Sequence, residues 1–116
     1  MAADTLKLAG DKFLIREGEE STQLYYLQSG TMAVYKKKGN TEVQIGTIYS
    51  GEIVGEMSFL DSAPRCASVK TITECEVVVI PADKFETVLK GLPKWYHALI
   101  KTLLDRLRRA NAKIKI

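Results

Sequence analysis

The sequence predicts a mainly β domain, a β-barrel or jelly roll carrying a short helix and C-terminal helices. Three observations lead there. The first eighty residues are short runs of β-branched, aromatic and aliphatic residues cut by glycine-containing turns. The pattern changes after Pro81 to helical spacing with almost no breakers. And 116 residues are enough for one core but not two. Short strands followed by terminal helices fit a closed β architecture with helical appendages.

The strand candidates run in order: Phe13-Leu14-Ile15, Leu24 to Leu27, Thr31 to Tyr35, the alternating Glu42 to Ile48, Ala67 to Ile72, and Glu76 to Ile80. Gly51 to Val54 reads as a further strand end. Gly39-Asn40 joins two of these strands as a hairpin. Glycine at the first central position tolerates positive φ and so predicts a type II′ turn. Lys36-Lys37-Lys38, just before it, reads as exposed edge-strand charge that discourages sheet pairing. The other reading of that triplet is a nucleic-acid contact.

After Pro81, Asp83 to Leu92 predicts a short helix with Phe85, Val88 and Leu89 on one face, punctuated by Gly91 and Pro93. The segment from Lys94 onward then holds a heptad pattern. Ile100, Leu107 and Ile114 share one seam position; Tyr96, Leu103 and Ala110 share the other. A helix of some twenty residues spans about 30 Å, longer than one side of so small a domain needs. The stripe therefore predicts packing partly on the body and partly on a second copy in a homodimer, or else on the body alone or on a neighbouring domain. The expected division is a barrel over 1–92 and a lid or dimerisation helix over 93–116.

Charge is unevenly placed. Residues 94–116 hold seven Lys or Arg and one acid, whereas residues 1–93 hold ten bases and thirteen acids. A basic tail points either to nucleic acid or to a solvated helix face. No apolar run approaches the ~20 residues of a membrane span, and the N-terminus has no apolar h-region. Cys66 and Cys75 are the only cysteines and lack metal-ligand spacing, so free thiols and a cytoplasmic setting are expected. His97 is the only histidine. No nucleophile–base pattern accompanies Ser58, Ser62 or Ser68, so neither a metal nor catalysis is expected.

The stretch GEMSFLDSAPRCASV, residues 55–69, concentrates the chemistry. Gly55 allows an unusual backbone turn. The residues after it can form one helical turn whose first amides are free to meet an anion. Pro64 ends that turn and Arg65 follows. Amide donors plus a planar cation suit a phosphate. Glu56 would repel a phosphate but could accept a bond from an adjacent sugar hydroxyl. The alternative is a plain Glu56–Arg65 ion pair.

This stretch closely resembles the phosphate-binding cassette of cyclic nucleotide-binding domains. The family pattern is Gly-Glu, a large apolar residue, a small residue, an apolar pair, three variable residues, Pro-Arg, then a run of small residues ending in valine; Gly55 to Val69 matches throughout. Phe13 to Glu19, Tyr25 to Gly30 and Gly51 to Glu56 resemble the family's opening strand, second stretch and cassette entry. The resemblance implies a regulatory sensor that binds cyclic AMP, or possibly cyclic GMP, and is not an enzyme. Arg65 would take the cyclic phosphate, with the amides of Met57 and Ser58 after Gly55. Glu56 would hold the ribose 2′-hydroxyl, while Cys66 and Ala67 would line the phosphate and base side. Val34, Ile45 and Val54 would form the purine pocket. Arg108 or Asn111 on the long helix would close over the base. Cys66 stands where a threonine accompanies cyclic GMP preference, which favours cyclic AMP. Ala110 stands where many bacterial relatives have threonine. The output would be an effector domain or partner protein, since no DNA-binding motif is found in this chain. The alternatives are a nucleotide-free dimerisation or docking module of the same fold, and nucleic-acid binding through the basic helix.

Overall fold

The computed structural model describes residues 4–20, 22–55 and 64–114. The chain divides into two units, Met1–Ala82 and Asp83–Ile116. The first unit contains, among the described residues, eight strands: β1 (Thr5–Leu8), β2 (Phe13–Ile15), β3 (Gln23–Ser29), β4 (Thr31–Lys38), β5 (Thr41–Tyr49), β6 (Ile53–Val54), β7 (Ser68–Thr71) and β8 (Cys75–Pro81). They form two four-stranded sheets, in the orders β1-β8-β3-β6 and β2-β7-β4-β5, with all pairs antiparallel. The jelly-roll expectation is met.

One apolar cluster joins the two sheets. Ile15, Met32 and Val69 come from one, and Tyr25, Leu27, Val54, Cys75 and Val77 from the other. Leu27, Met32, Val54 and Val77 are fully buried. This is the outcome expected of period-two alternation: one face of each strand is removed from water and the other is left in it.

The β4–β5 hairpin turns at Gly39-Asn40 as expected. Gly39 has φ 63°, and the only non-glycine residue with positive φ among those described is Asp11, so Asn40 keeps the negative φ of a type II′ second position. Two details differ from the sequence reading. β1 was not expected; TLKL offers only two apolar residues, and the strand pairs with β8 alone, at the edge of its sheet. And β4 is an interior strand, not an edge. Only its last three residues, Lys36 to Lys38, overhang β7, whose pairing stops at Tyr35↔Ser68. There the Lys37 N–H donates instead to the Glu17 carboxylate at 3.1 Å, which satisfies a backbone donor the sheet leaves open.

The second unit contains, among the described residues, α1 (Ala82–Lys90, its first residue shared with the barrel unit) and α2 (Lys94–Ile114). Pro81 and Pro93 bracket α1. Gly91 and Leu92 N–H groups close its end on Val88 and Leu89 carbonyls, and the Pro93 carbonyl accepts from Tyr96 and His97 to start α2. Along α2 the apolar side chains Trp95, Tyr96, Leu99, Leu103 and Leu107 are exposed.

Candidate functional site

The site is built on β6 and on the chain that returns to β7. β6 is held to β3 by Tyr25↔Val54 and Tyr26↔Ile53. Gly55 follows at φ 87°. A side chain there would be strained by that φ, and its Cβ would collide with the Arg65 Nη1. Glycine is therefore required twice at this position, once for the backbone and once for the cation that lies against it.

Arg65 is 5% exposed. Its backbone is clamped on both sides by the β2–β3 loop: its N–H donates to the Glu19 carbonyl at 2.7 Å, and its carbonyl accepts from the Gly18 N–H at 2.8 Å. Its guanidinium donates through Nη1 to the Gly55 carbonyl at 3.0 Å and through Nη2 to the Gln23 carbonyl. Burial holds the guanidinium pKa below its usual value, while Tyr25, Glu19 and Cys66 push it back up. A guanidinium stays charged across the physiological range. The result is a fixed, largely desolvated cation whose plane is set by two carbonyls. A cation placed in that way favours an anion approaching it, because little water competes for the charge.

A cavity of about 260 Å³ opens beside it. Ile15, Val34, Ile48, Ile53 and Val69 supply an apolar wall, and Glu52, Gly55, Arg65, Cys66 and Ala67 the polar end. Among the described residues this is just below the ~300 Å³ at which small-molecule sites begin. A second concavity touches Arg65 beside Glu19, Glu20 and Tyr25. Two carboxylates make it unsuitable for an anion, so the apolar cavity is the candidate site.

Of the residues singled out from sequence, Val34, Gly55, Arg65, Cys66 and Ala67 meet at this cavity. Val54 does not. It is fully buried in the core, and its neighbour Ile53 lines the cavity in its place, on the other face of β6. Ile45 does not either. Val34 pairs Gly46 and Tyr35 pairs Gln44, so Ile45 is the extra residue of a β-bulge; Ile48 reaches the cavity instead. The signal was present: the apolar phase of this strand shifts from the odd positions 43 and 45 to the even position 48. Ile15, Glu52 and Val69 were also not foreseen. Glu56, Met57 and Ser58 lie outside the described residues. Arg108 and Asn111 lie on α2, with side chains outside the described residues.

Among the described residues no group of three or more His, Cys, Asp or Glu could hold a metal ion, and no helix is long and apolar enough to cross a membrane.

Comparison with known proteins bears on this geometry. Residues 5–91 match the family model described as the cyclic nucleotide-binding domain. The human potassium/sodium hyperpolarization-activated cyclic nucleotide-gated channel 4 is 34% identical over 104 residues, covering 90% of this chain and 8% of the channel. A cAMP-dependent protein kinase regulatory subunit of Emericella nidulans is 32% identical over 88 residues, covering 76% of this chain and 21% of the subunit. The chain thus spans only a small part of these relatives. Among solved structures, the Thermus thermophilus catabolite activator protein superposes with a TM-score of 0.81 at 25% identity, over 97% of this chain and 54% of that one. An EAL enzyme in its cAMP-bound form superposes with a TM-score of 0.79 at 25% identity, over 95% of this chain and 29% of the enzyme's.

Proposed function

The chain belongs to the cyclic nucleotide-binding domain family, and from that premise we propose that its apolar cavity takes cyclic AMP as the ligand of a non-catalytic regulatory sensor. The observation that carries this reading is Arg65, a buried cation with its plane fixed by two carbonyls, at the polar end of an otherwise apolar cavity. The division suits a cyclic nucleotide: an anionic phosphate at Arg65 and a flat purine against Val34, Ile48 and Val69. The amides of Met57 and Ser58 then join Arg65 on the phosphate, and Glu56 accepts from the ribose 2′-hydroxyl. Cyclic AMP is preferred because Cys66 is a weak hydrogen-bond donor where a hydroxyl would serve cyclic GMP.

The output is movement of α2, with Arg108 or Asn111 closing over the base. Nucleotide can shift that helix only so far as the closed state binds it better. The exposed apolar side chains of α2 support pairing with a second copy in a homodimer. An effector domain or partner protein receives the signal.

Calorimetric titration of the nucleotide-stripped chain with cyclic AMP and cyclic GMP tests the reading. The expected result is saturable binding of one ligand per chain, tighter for cyclic AMP. No heat with either ligand, from folded protein, would overturn it and leave a docking module that keeps the shape alone.

A further inference from the structure

The nucleotide reading leaves the lysine triplet on β4 without a role. Period two along β4 puts Lys36 on the same face as Val34, which lines the cavity. The Lys36 Nζ donates to the Cys66 carbonyl at 2.5 Å. Cys66 follows Arg65 directly and itself lines the cavity. Lys36 thus brings a second cation against a residue of the pocket that has Arg65 at its polar end. Two carboxylates of this part of the barrel have other duties: Glu17 accepts from the Lys37 N–H, and Glu52, on the cavity wall, accepts from the Tyr49 N–H.

We infer that Lys36 is a positioning residue of the anion site, pinning the Cys66–Ala67 peptide and adding its own positive charge at the cavity rim. The inference rests on the nucleotide reading above. A trans peptide points its N–H opposite to its C=O, so a carbonyl held by Lys36 fixes the direction in which the Ala67 N–H is presented. The bond is charge-assisted and therefore about twice as strong as a neutral one. It also ties β4, which carries Val34 for the base, to the segment that carries Arg65 for the phosphate. It extends the β4–β7 ladder, which stops at Tyr35↔Ser68, by one further tie towards Arg65.

Three variants of the full chain test it: Lys36→Met, which keeps the stem and removes the charge; Lys36→Gln, which keeps a neutral donor; and Lys36→Arg, which restores a cation. Cyclic AMP is titrated at several salt concentrations, with thermal unfolding read alongside. The expected result is binding weakened about tenfold in Lys36→Met and Lys36→Gln. The salt dependence should be shallower in both, because one fewer cation acts on the phosphate. Lys36→Arg should regain most of the affinity. Affinity within twofold of the parent in Lys36→Met and Lys36→Gln, an unchanged salt dependence, or a loss that Lys36→Arg fails to repair would each overturn the inference while leaving the nucleotide reading standing. A parent chain that binds no cyclic AMP would overturn the nucleotide reading, and this inference with it.

Discussion

The inward file of β4 passes through two different regions of the barrel. Met32 is fully buried in the cluster that joins the sheets, where Leu27 and Val77 are also sealed. Two residues further on, Val34 is only half-buried and lines the cavity. Two more bring Lys36, whose ammonium donates to the Cys66 carbonyl. One strand and one alternation therefore supply a core residue, a pocket wall and a cation in succession. The sealed region is close-packed because side chains of the opposite sheet meet it. The open region exists because Arg65 and Gly55, instead of further aliphatic side chains, stand at its end. The same hydrophobic face stabilises the fold in one region and is available to a ligand in the other.

This contrast can be broken experimentally, starting from the sealed region. Leu27→Ala is expected to lower stability by about 2–5 kcal/mol, since it leaves a cavity among fully buried neighbours. Cyclic AMP affinity per folded molecule should stay near the parent's. Urea unfolding and calorimetry on the same sample read both quantities; a large affinity loss from folded protein would erase the distinction between the regions.

Arg65→Ala is the counterpart in the open region. Leaving the phosphate charge without its buried partner is expected to cost about 2–5 kcal/mol of binding, or at least ~30-fold in affinity. Binding unchanged in a folded variant would remove Arg65 from the site. Ile48→Ala sharpens the comparison at smaller scale. This residue is half-buried, and removing its side chain is expected to weaken cyclic AMP by about tenfold, on the scale of ~1.5 kcal/mol for apolar wall contact. Its stability loss should be smaller than that of Leu27→Ala; a larger one would mean that Ile48 serves the core first.

The smallest effect is expected at the ion pair between Lys70 and Asp11, 2.7 Å apart, neither of which belongs to the core cluster or lines the cavity. Lys70 lowers the Asp11 pKa below its usual 3.8, and Asp11 raises that of Lys70 above 10.5. Asp11 therefore contributes stability at pH above 3.8 that is lost as pH falls through its lowered pKa. Lys70 contributes below 10.5 and loses its share as pH rises through its raised pKa. Asp11→Asn keeps a residue that tolerates φ 64° while removing the charge. Its slight deficit relative to the parent at pH 7 should vanish in strong acid, as read by unfolding curves across pH. A deficit that persists there would assign the effect to something other than charge.

Much of this molecule is legible in its local sequence. The β4–β5 hairpin follows from Gly39-Asn40 between alternating runs, and the limits of α1 from Pro81, Gly91 and Pro93. The candidate site is legible only in part. Gly55, Arg65, Cys66 and Ala67 are visible because they are contiguous or nearly so. Ile53 in place of Val54, and Ile48 in place of Ile45, were missed because each depends on which face of a strand meets the cavity. That is decided by register with another strand, and the bulge at Ile45 resets it.

By itself, then, the sequence determined the strand and turn order, the switch to helix after Pro81, and the Gly55–Val69 segment with its single arginine. These depend on propensities and spacings carried within a few residues. Only the tertiary structure decided that TLKL is a strand, that Lys36 turns to the Cys66 carbonyl thirty residues away, and that Arg65 donates to the carbonyls of Gly55 and Gln23. Each of those needs a partner distant in the chain, and no local preference encodes where that partner will stand.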